Sequence, residues 1–329
     1  GYRPIIDAAK SLNKIDKSDQ FKKNKKNIIK LLKKINLKNI SIENKGKKYF
    51  SPRTIKELKK VIKKNSNSHF LSGGTDLSLI VTKERKDINN IINLQAIDEL
   101  DFIKEKNNNI EVGAATPLIK FEKFILKYYP DFNSVLKRYG SVQIRNVCTI
   151  GGNLATASPI GDTLPILLSL NSEIVIETTK NKKILPLKNF FLGYRKTKLK
   201  KGEFIYSIKI PIYKNNVFKA YKISKRFDDD ISSLCASFNL EIVNKKIKKA
   251  IIAYGGMAEI PKRATNCENF LNNTNLSLDS FEKAKNFLEK DFTPIDDMRA
   301  TKDYRIEVAK NLLIKFFLEI KSNKLIRLN

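Results

Sequence analysis

The hydrophobic pattern after residue 50 changes between helical and strand periods, with no internal repeat and no regular β-α-β order. Ser51-Pro52 predicts the start of a helix, because serine caps free amides and proline fits the first turn. The predicted apolar face of this helix comprises Ile55, Leu58, Val61 and Ile62. A short apolar stretch at 69–71 indicates a strand, and residues 117–128 are typical of a second helix.

Alternating apolar residues predict further strands, which we place at 90–94, 109–114, 173–177, 204–210 and 234–242. One face of the last strand would be formed by Leu234, Ala236, Phe238, Leu240 and Ile242. Two helices are predicted in the tail, near 278–290 and over 303–321. The apolar face of the longer one comprises Ile306, Ala309, Leu312, Leu313, Phe316, Phe317 and Ile320. Strands and helices that do not alternate regularly predict an α+β fold.

The length of 329 residues suggests two or three domains. Residues 1–40 are polar and rich in lysine, with apolar positions clustered at 28–35, so we interpret them as a linker that ends in a short helix. Pro211 and the polar run 213–216 indicate a domain boundary near 211–217. The chain begins Gly-Tyr-Arg-Pro, without an initiator methionine or a secretory leader, and we interpret it as a fragment or a processed chain.

The formal charge of +30 would suit a nucleic acid or an anionic membrane. The lysines are, however, spread along the whole chain, without the interleaved aromatic residues that stack on bases. This pattern is typical of a solvated surface. No run of about eighteen apolar residues occurs, so no membrane span is predicted. We therefore predict neither a nucleic-acid nor a membrane partner.

The cysteines Cys148, Cys235 and Cys267 are odd in number and far apart, which excludes a disulfide framework and predicts a reducing cytoplasm. No Cys-x-x-Cys pair is present and His69 is the only histidine, so we predict no self-contained zinc or iron–sulfur site. A histidine-based triad would need His69, and no Gly-x-Ser-x-Gly turn accompanies it. Hydrolytic chemistry of the familiar kinds is not predicted.

Two glycine pairs, in LSGGTDL at 71–77 and TIGGN at 149–153, each follow an apolar stretch. Successive glycine amides can bend into a concave nest for phosphate oxygens, and two nests would suit a diphosphate. Neither segment is a Rossmann or P-loop motif, and neither contains lysine, so the backbone would bind the phosphates. The alternative is that both pairs are ordinary tight turns.

Two further segments combine turn residues with charge. ASPIGDTLP at 157–165 directly follows the second glycine pair, and YKISKRFDDDIS at 221–232 places lysine, arginine and aspartate beside an apolar strand. By composition, the second segment is typical of a solvated charge run whose members pair with each other.

The chain resembles the flavin domain of bacterial xanthine dehydrogenase small subunits in LSGGTDL, RNVCTIGGNLATASPIGDTLP, FFLGYRKT, AYKISKRFDDDIS, GGMAEIPKRA and DFTPIDDMRAT. The resemblance runs in order from about residue 47 to the C-terminus. It implies an FAD domain of the vanillyl-alcohol-oxidase (PCMH) type at 41–213 and a carbon monoxide dehydrogenase flavoprotein-like α/β domain at 217–325. Residues 1–6 resemble the end of that family's iron–sulfur domain, which makes 1–40 its remnant and a linker.

The resemblance also implies which residues bind the cofactor. The FAD diphosphate would be wrapped by Phe70, Leu71, Ser72, Gly73, Gly74, Thr75, Asp76 and Leu77. A second nest would be formed by Thr149, Gly151, Gly152 and Asn153. Tyr139 would lie against the cofactor, and Asp162 would contact its nucleotide part.

Further roles concern the flavin ring. By the same resemblance, Ile205 would lie over the reactive edge of the ring and Lys222 would contact its polar edge. Arg226 and Asp229 would belong to a charged loop that tunes the flavin potential and the access of nicotinamide. No general base is implied, because the cofactor itself carries the chemistry.

The implied function is electron transfer. Purine would be hydroxylated at a molybdopterin centre in a large subunit, and iron–sulfur clusters would pass the electrons through FAD to NAD, with oxygen as the alternative acceptor. An aldehyde or carbon monoxide dehydrogenase subunit is the alternative within the enzyme class, and a basic non-enzymatic binding module is the alternative outside it. FFLGYRKT and ISKRFDDDIS favour the xanthine type.

Overall fold

The computed structural model describes residues 2–12, 21–35, 38–322 and 324–326. By its contacts the chain divides into two units, Gly1–Asn39 and Ile40–Asn329. The first unit contains helices α1 (Arg3–Ser11) and α2 (Lys25–Lys33). The short helix predicted before residue 40 is thus confirmed by α2, whereas α1 was not predicted. No helix in the described ranges is both long enough and apolar enough to cross a membrane.

The second unit begins with a four-stranded sheet in the order β1-β2-β4-β3. Its elements are β1 (Ile40–Asn44), β2 (Lys47–Ser51), α3 (Ile55–Lys64), β3 (His69–Leu71), α4 (Ser78–Thr82) and β4 (Asn90–Asn93). β2 and β3 both run parallel to β4. The first glycine pair therefore lies at the carboxyl end of a parallel strand, where ligand-binding loops are commonly found.

The predicted start of α3 at Ser51 is wrong by several residues. Ser51 pairs with Ile40 in the strand ladder, and the N-cap is Thr54, whose hydroxyl accepts from the Glu57 amide at 3.2 Å. The sequence does hold this signal, since threonine followed three residues later by glutamate is typical of a helix start. The predicted apolar face is confirmed, because Leu58 and Ile62 are buried in the core beside this sheet.

The middle of the chain forms a five-stranded antiparallel sheet in the order β5-β6-β11-β7-β8. Its strands are β5 (Ile103–Lys106), β6 (Asn109–Gly113), β7 (Glu173–Glu177), β8 (Lys182–Pro186) and β11 (Phe204–Pro211). The hairpin β9 (Phe191–Gly193) and β10 (Lys196–Thr197) precedes β11. The helices are α5 (Leu118–Ile125), α6 (Pro130–Lys137), α7 (Val142–Val147), α8 (Ile150–Thr156) and α9 (Thr163–Ser169). All of these helices except α7 contribute to one apolar core shared with this sheet.

The C-terminal part is a four-stranded antiparallel sheet covered by helices. Its elements are β12 (Asn216–Ile223), β13 (Leu234–Val243), β14 (Lys246–Gly255), β15 (Lys262–Arg263), α10 (Thr265–Leu271), α11 (Leu278–Ala284), α12 (Leu288–Asp291) and α13 (Lys302–Ser322). Short 3-10 turns lie at Asp98–Leu100, Leu187–Asn189 and Lys285–Phe287. Phe238 of β13 stacks on Phe316 of α13, with ring centroids 4.8 Å apart.

The apolar face predicted for β13 is confirmed, since its alternate residues enter the helix-covered core. The opposite face is buried as well, because Ser237 and Asn239 bond to Ser169 of α9. The α+β fold is therefore confirmed. A domain boundary near 211–217 remains a prediction: β11 ends at Pro211 and β12 begins at Asn216, but both lie within one compact unit.

Candidate functional site

The segment after β3, residues 72–77, is a run of unused backbone donors, which we term the amide loop. Gly73 and Gly74 have φ angles of +84° and +72°, in the left-handed region that glycine adopts without strain. Among the described residues, none of the amides from Ser72 to Leu77 donates a hydrogen bond within the chain. Consecutive unpaired amides around left-handed glycines form a concave, electropositive surface that suits an anion.

The amide loop packs directly against the second glycine segment. The hydroxyls of Ser72 and Thr149 are 3.0 Å apart. A Cβ on Gly73 would lie 2.1 Å from the carbonyl oxygen of Val147. Two segments about eighty residues apart in sequence therefore converge, as the two glycine pairs predicted.

The second glycine pair is not the nest of free amides that was predicted. It lies in the first turn of α8, where the Gly151 amide donates to the Ala114 carbonyl (3.0 Å) and the Gly152 amide to the Thr149 hydroxyl (3.1 Å). Both donors are thus already used. Glycine is needed here for close packing, because a Cβ on Gly151 would lie 2.5 Å from the Cβ of Ala114.

A cavity of 1030 Å³ opens beside the amide loop. Its size is at the upper end of ligand pockets, which span about 300–1,000 Å³. The predicted residues that line it are Phe70, Ser72, Gly74, Thr75, Asp76, Leu77, Tyr139, Thr149, Gly152, Asn153, Asp162, Lys222 and Asp229. The predicted residues absent from its lining are Leu71, Gly73, Gly151, Ile205 and Arg226.

Ile205 and Arg226 are displaced from the cavity for different reasons. Ile205 is buried in the apolar core of the middle sheet, where it pairs with Ile176. The Arg226 side chain is 78% exposed, and its guanidinium lies 3.7 Å from the Asp230 carboxylate within the same loop. The roles assigned to these two residues at the flavin edge are therefore not supported by where they lie.

A buried triangle of polar groups forms one wall of the cavity. The Lys222 Nζ donates to Asp162 Oδ2 (2.7 Å) and to Ser232 Oγ (2.8 Å), and the Ser232 hydroxyl donates to Asp162 Oδ1 (2.5 Å). The lysine and aspartate side chains are only 2% and 5% exposed. Each buried charge is thus stabilised by the other. These bonds use two of the three ammonium protons of Lys222, so one remains for a ligand.

A second group of residues that line the cavity, Tyr139, Cys148 and Asn153, is uncharged. Burial raises the pKa of the Tyr139 phenol well above its usual range, and it also raises the pKa of the Cys148 thiol. Asn153 donates to the Tyr139 hydroxyl at 3.0 Å and accepts from Thr163 at 2.5 Å, which fixes the orientation of its amide. A protonated aromatic ring held in this way offers a flat surface for a planar group.

The rim of the cavity carries an ion pair that was not predicted. Arg195, in the turn between β9 and β10, donates through both terminal nitrogens to the Asp76 carboxylate, at 3.2 and 3.1 Å. Both side chains are nearly half exposed. The pair connects the amide loop to the β9–β10 hairpin and neutralises a carboxylate beside the anion-binding amides.

The comparisons with known proteins agree with this geometry. Residues 39–213 match the family described as the FAD binding domain in molybdopterin dehydrogenase. The chain belongs to this family. Residues 219–320 match the CO dehydrogenase flavoprotein C-terminal domain, so the predicted succession of an FAD-binding domain and this second domain type is confirmed.

Proteins similar to this chain belong to several different enzymes. The xanthine dehydrogenase of Blastobotrys adeninivorans is 31% identical over 256 residues, which cover 73% of this chain and 18% of that protein. The glyceraldehyde dehydrogenase medium chain of Sulfolobus acidocaldarius is 26% identical over 274 residues, which cover 83% of this chain and 97% of that protein. The chain spans about a fifth of the length of the xanthine dehydrogenases it matches.

Solved structures show the same fold. The structure of reconstituted CO dehydrogenase from Oligotropha carboxidovorans matches with a TM-score of 0.79 and 22% identity, over 86% of this chain and all of that one. Quinoline 2-oxidoreductase from Pseudomonas putida 86 matches with a TM-score of 0.77 and 20% identity, over 88% of this chain and all of that one.

Three site residues of this FAD-binding domain protein were not predicted from the sequence: Arg138, Arg195 and Ser232. Arg195 lies within the FFLGYRKT segment that carried the resemblance, and Ser232 ends the charged segment. The one sequence signal for Arg138 was its position directly before Tyr139, a predicted site residue. Their partners lie far away in sequence, and only the fold reveals them.

Proposed function

We propose that this chain is the FAD-binding electron-transfer part of a xanthine-dehydrogenase-type molybdenum hydroxylase, which passes electrons from iron–sulfur clusters to NAD. The observation that carries the proposal is the run of unpaired amides at 72–77 beside a cavity of 1030 Å³. Adjacent amide donors suit a ligand rich in acceptors, such as a diphosphate. Membership of the FAD-binding family supports FAD as the molecule that brings the diphosphate.

The residues present fit this cofactor. The amide loop would hold the diphosphate, with Thr149, Gly152 and Asn153 on its other side. Tyr139 would offer its ring to the planar group, while Asp162 orients the Lys222 ammonium toward the cavity. When bound, FAD supplies the redox chemistry, taking up single electrons and delivering a pair as hydride.

The xanthine type and its partners are part of the proposal. FFLGYRKT and ISKRFDDDIS support it, together with the 31% identity to the Blastobotrys xanthine dehydrogenase. The partners would be a molybdopterin-binding large subunit and an iron–sulfur domain upstream of residue 40. We also propose the cytoplasm as the compartment, because the three cysteines are free and buried.

A second candidate is the flavin subunit of an aldehyde-oxidising molybdenum hydroxylase. The specific observation in its favour is the match to the Sulfolobus glyceraldehyde dehydrogenase medium chain over 97% of that protein. Both candidates use the same amide loop and cavity. They differ in the substrate of the partner subunit and in the electron acceptor.

The test uses the chain isolated together with its partner subunits. Xanthine and glyceraldehyde are supplied in turn, and flavin reduction is followed without oxygen before NAD is added. The proposal expects xanthine to reduce the flavin and NAD to reoxidise it with formation of NADH. Reduction of the flavin by glyceraldehyde but not by xanthine would support the second candidate. Reoxidation of the reduced flavin by oxygen but not by NAD would exclude NAD as the acceptor.

Asp229 gives a prediction about the flavin potential. It lines the cavity from an exposed loop, and a negative charge there opposes the anionic reduced flavin. Replacing Asp229 with alanine is expected to raise the midpoint potential of the flavin by about 5–20 mV. This range is the interaction energy of an exposed charge pair, converted to a potential for a two-electron couple. The replacement should also slow the reduction of NAD, whose nicotinamide is cationic.

Arg226 provides the matched control in the same loop. Its side chain is 78% exposed and does not line the cavity, so Arg226→Ala should shift the potential less than Asp229→Ala does. Potentials are measured on the FAD-loaded chain at fixed ionic strength. Shifts of equal size and opposite sign in the two variants would show that Asp229 acts only through the general surface charge.

A further inference from the structure

Arg138 connects two walls of the cavity. It lies at the carboxyl end of α6, directly before Tyr139. Its Nε donates to the Phe227 carbonyl (2.9 Å), its Nη1 to the Lys222 carbonyl (2.8 Å) and its Nη2 to the Ser224 hydroxyl (3.1 Å). Its Cζ also lies 4.5 Å from the centroid of the Phe227 ring. All three nitrogens of one side chain are thus bonded to β12 and the segment that follows it.

The segment at 224–231, which we term the acidic loop, has few other polar contacts with the rest of the molecule. In the described part of the chain, its one further hydrogen bond to another segment runs from the Lys225 Nζ to the Met298 carbonyl, at 2.9 Å. The bonds from Arg226 and Ile231 to Asp230 lie inside the loop and give it shape without attaching it. Arg138 therefore makes most of the polar contacts that attach the loop.

The attached loop forms part of the cavity. Asp229, Asp230 and Ile231 line it, and the loop joins directly to the buried Lys222 and Ser232. The Phe227 ring is 72% exposed, so no apolar packing of that ring holds the loop in place. A change in the Arg138 contacts would move the residues that line the cavity mouth.

We propose that Arg138 is a positioning residue that holds the acidic loop against the cavity and thereby sets how far solvent and an electron acceptor reach into it. The part that concerns the acceptor rests on the proposed function, whereas the attachment of the loop does not. A guanidinium suits this role because its planar fork directs several N–H groups at fixed angles while its face stacks on an aromatic ring. A lysine ammonium would keep the charge and lose both properties.

The attachment is tested on the whole chain by limited trypsin digestion. The initial cleavage rates after Lys225 and Arg226 are followed by mass spectrometry. Arg138→Ala is expected to raise these rates at least about tenfold, because the two hydrogen bonds to the loop and the contact with the Phe227 ring no longer oppose local opening. The cleavage rates of Arg138→Lys should be closer to those of Arg138→Ala than to those of the unchanged chain. Lys137→Ala is the matched control, since Lys137 is the exposed neighbour and its removal changes the charge equally.

Equal cleavage after Lys225 in the Arg138→Ala and Lys137→Ala variants would overturn the proposal. If Arg138→Ala does not fold, Phe227→Ala gives the test from the loop side, because it removes only an exposed ring. It is expected to raise cleavage after Lys225 about two- to fivefold, the equivalent of one exposed cation–π contact. The proposal would likewise be overturned if Phe227→Ala did not raise the cleavage rate after Lys225 and Arg138→Ala raised the cleavage rate at all tryptic sites.

A second readout concerns the cavity itself. In the FAD-loaded chain, Arg138→Ala should make the flavin fluorescence more accessible to quenching by acrylamide, while Lys137→Ala should leave it unchanged. Faster cleavage without altered quenching would overturn the claim about access and leave the attachment standing. Failure of every variant and of the unchanged chain to bind FAD would overturn the proposed function, and the digestion would still decide the role of Arg138.

Discussion

Replacing Lys222 with methionine is expected to lower the free energy of unfolding by about 3–5 kcal/mol. The Lys222 Nζ lies 2.7 Å from Asp162 Oδ2, and both side chains are almost completely buried. Methionine keeps the length of the side chain but leaves the Asp162 carboxylate buried with only the Ser232 hydroxyl as a side-chain partner. An unpaired buried charge is among the most costly defects that one substitution can create.

The measurement is urea denaturation of the purified chain, with Lys47→Met as the matched control. Lys47 lies at the same 2.7 Å from Asp87, but these side chains are 52% and 74% exposed, so its loss should cost at most about 1 kcal/mol. Adding Asp162→Asn to Lys222→Met should restore part of the lost stability, because the buried charge is then removed. Equal costs for Lys222→Met and Lys47→Met would show that burial does not govern this ion pair.

Replacing Gly73 with alanine is expected to cost about 2–5 kcal/mol of stability, more than the same change at Gly74. A Cβ on Gly73 would lie 2.1 Å from the Val147 carbonyl oxygen, and the φ of +84° adds strain. At Gly74 the Cβ meets only a Leu71 methyl group, at 3.1 Å, so about 1–2 kcal/mol is expected. Gly73 thus serves mainly the packing of the amide loop, and Gly74 lines the cavity.

Gly46 is the control for this comparison. Its φ is +77° and nothing lies within 4 Å of an added Cβ, so Gly46→Ala measures the cost of the left-handed conformation alone, about 1–2 kcal/mol. The difference between Gly73→Ala and Gly46→Ala then gives the cost of the contact with Val147. If the two variants unfold at the same urea concentration, the amide loop does not pack against the segment before Thr149 as described.

The hydrophobic pattern was sufficient to predict most of the elements, because alternation and helical spacing are local properties of the sequence. The error at Ser51 shows the limit of such signals. Ser51-Pro52 and Thr54 both offer a helix start, and the choice depends on Ser51 pairing with Ile40 in a strand ladder. A local pattern cannot decide between two acceptable caps when a neighbouring strand uses one of them.

The two glycine pairs illustrate the same limit at the site. The first pair precedes a short helix and the second lies in the first turn of one, yet only the first leaves its amides free. The difference arises because the Ala114 carbonyl and the Thr149 hydroxyl accept from the second pair. A glycine pair has the same sequence whether or not its amides have hydrogen-bond acceptors. Only the tertiary contacts therefore distinguish a ligand-binding loop from a packed turn.

Most of the charged residues that the resemblance named line the cavity, whereas Arg138 and Arg195, which it did not name as site residues, were missed. Arg195 bonds to Asp76 and Arg138 bonds to the Phe227 carbonyl, across separations of 119 and 89 residues. Arg226, by contrast, was predicted at the flavin edge and lies exposed outside the cavity. Partners of this kind depend on how the β9–β10 hairpin and the acidic loop fold back, which composition and spacing do not encode.

The most direct test of the amide loop as a diphosphate site is a calorimetric titration of the flavin-free chain with FAD, FMN and riboflavin. FAD is expected to bind at one per chain and at least about a hundredfold more tightly than riboflavin, because charge-assisted bonds from the 72–77 amides need phosphate oxygens. FMN should bind more weakly than FAD. Equal affinity for FAD and riboflavin, or no saturable binding of FAD, would contradict the assignment of this loop and cavity to FAD.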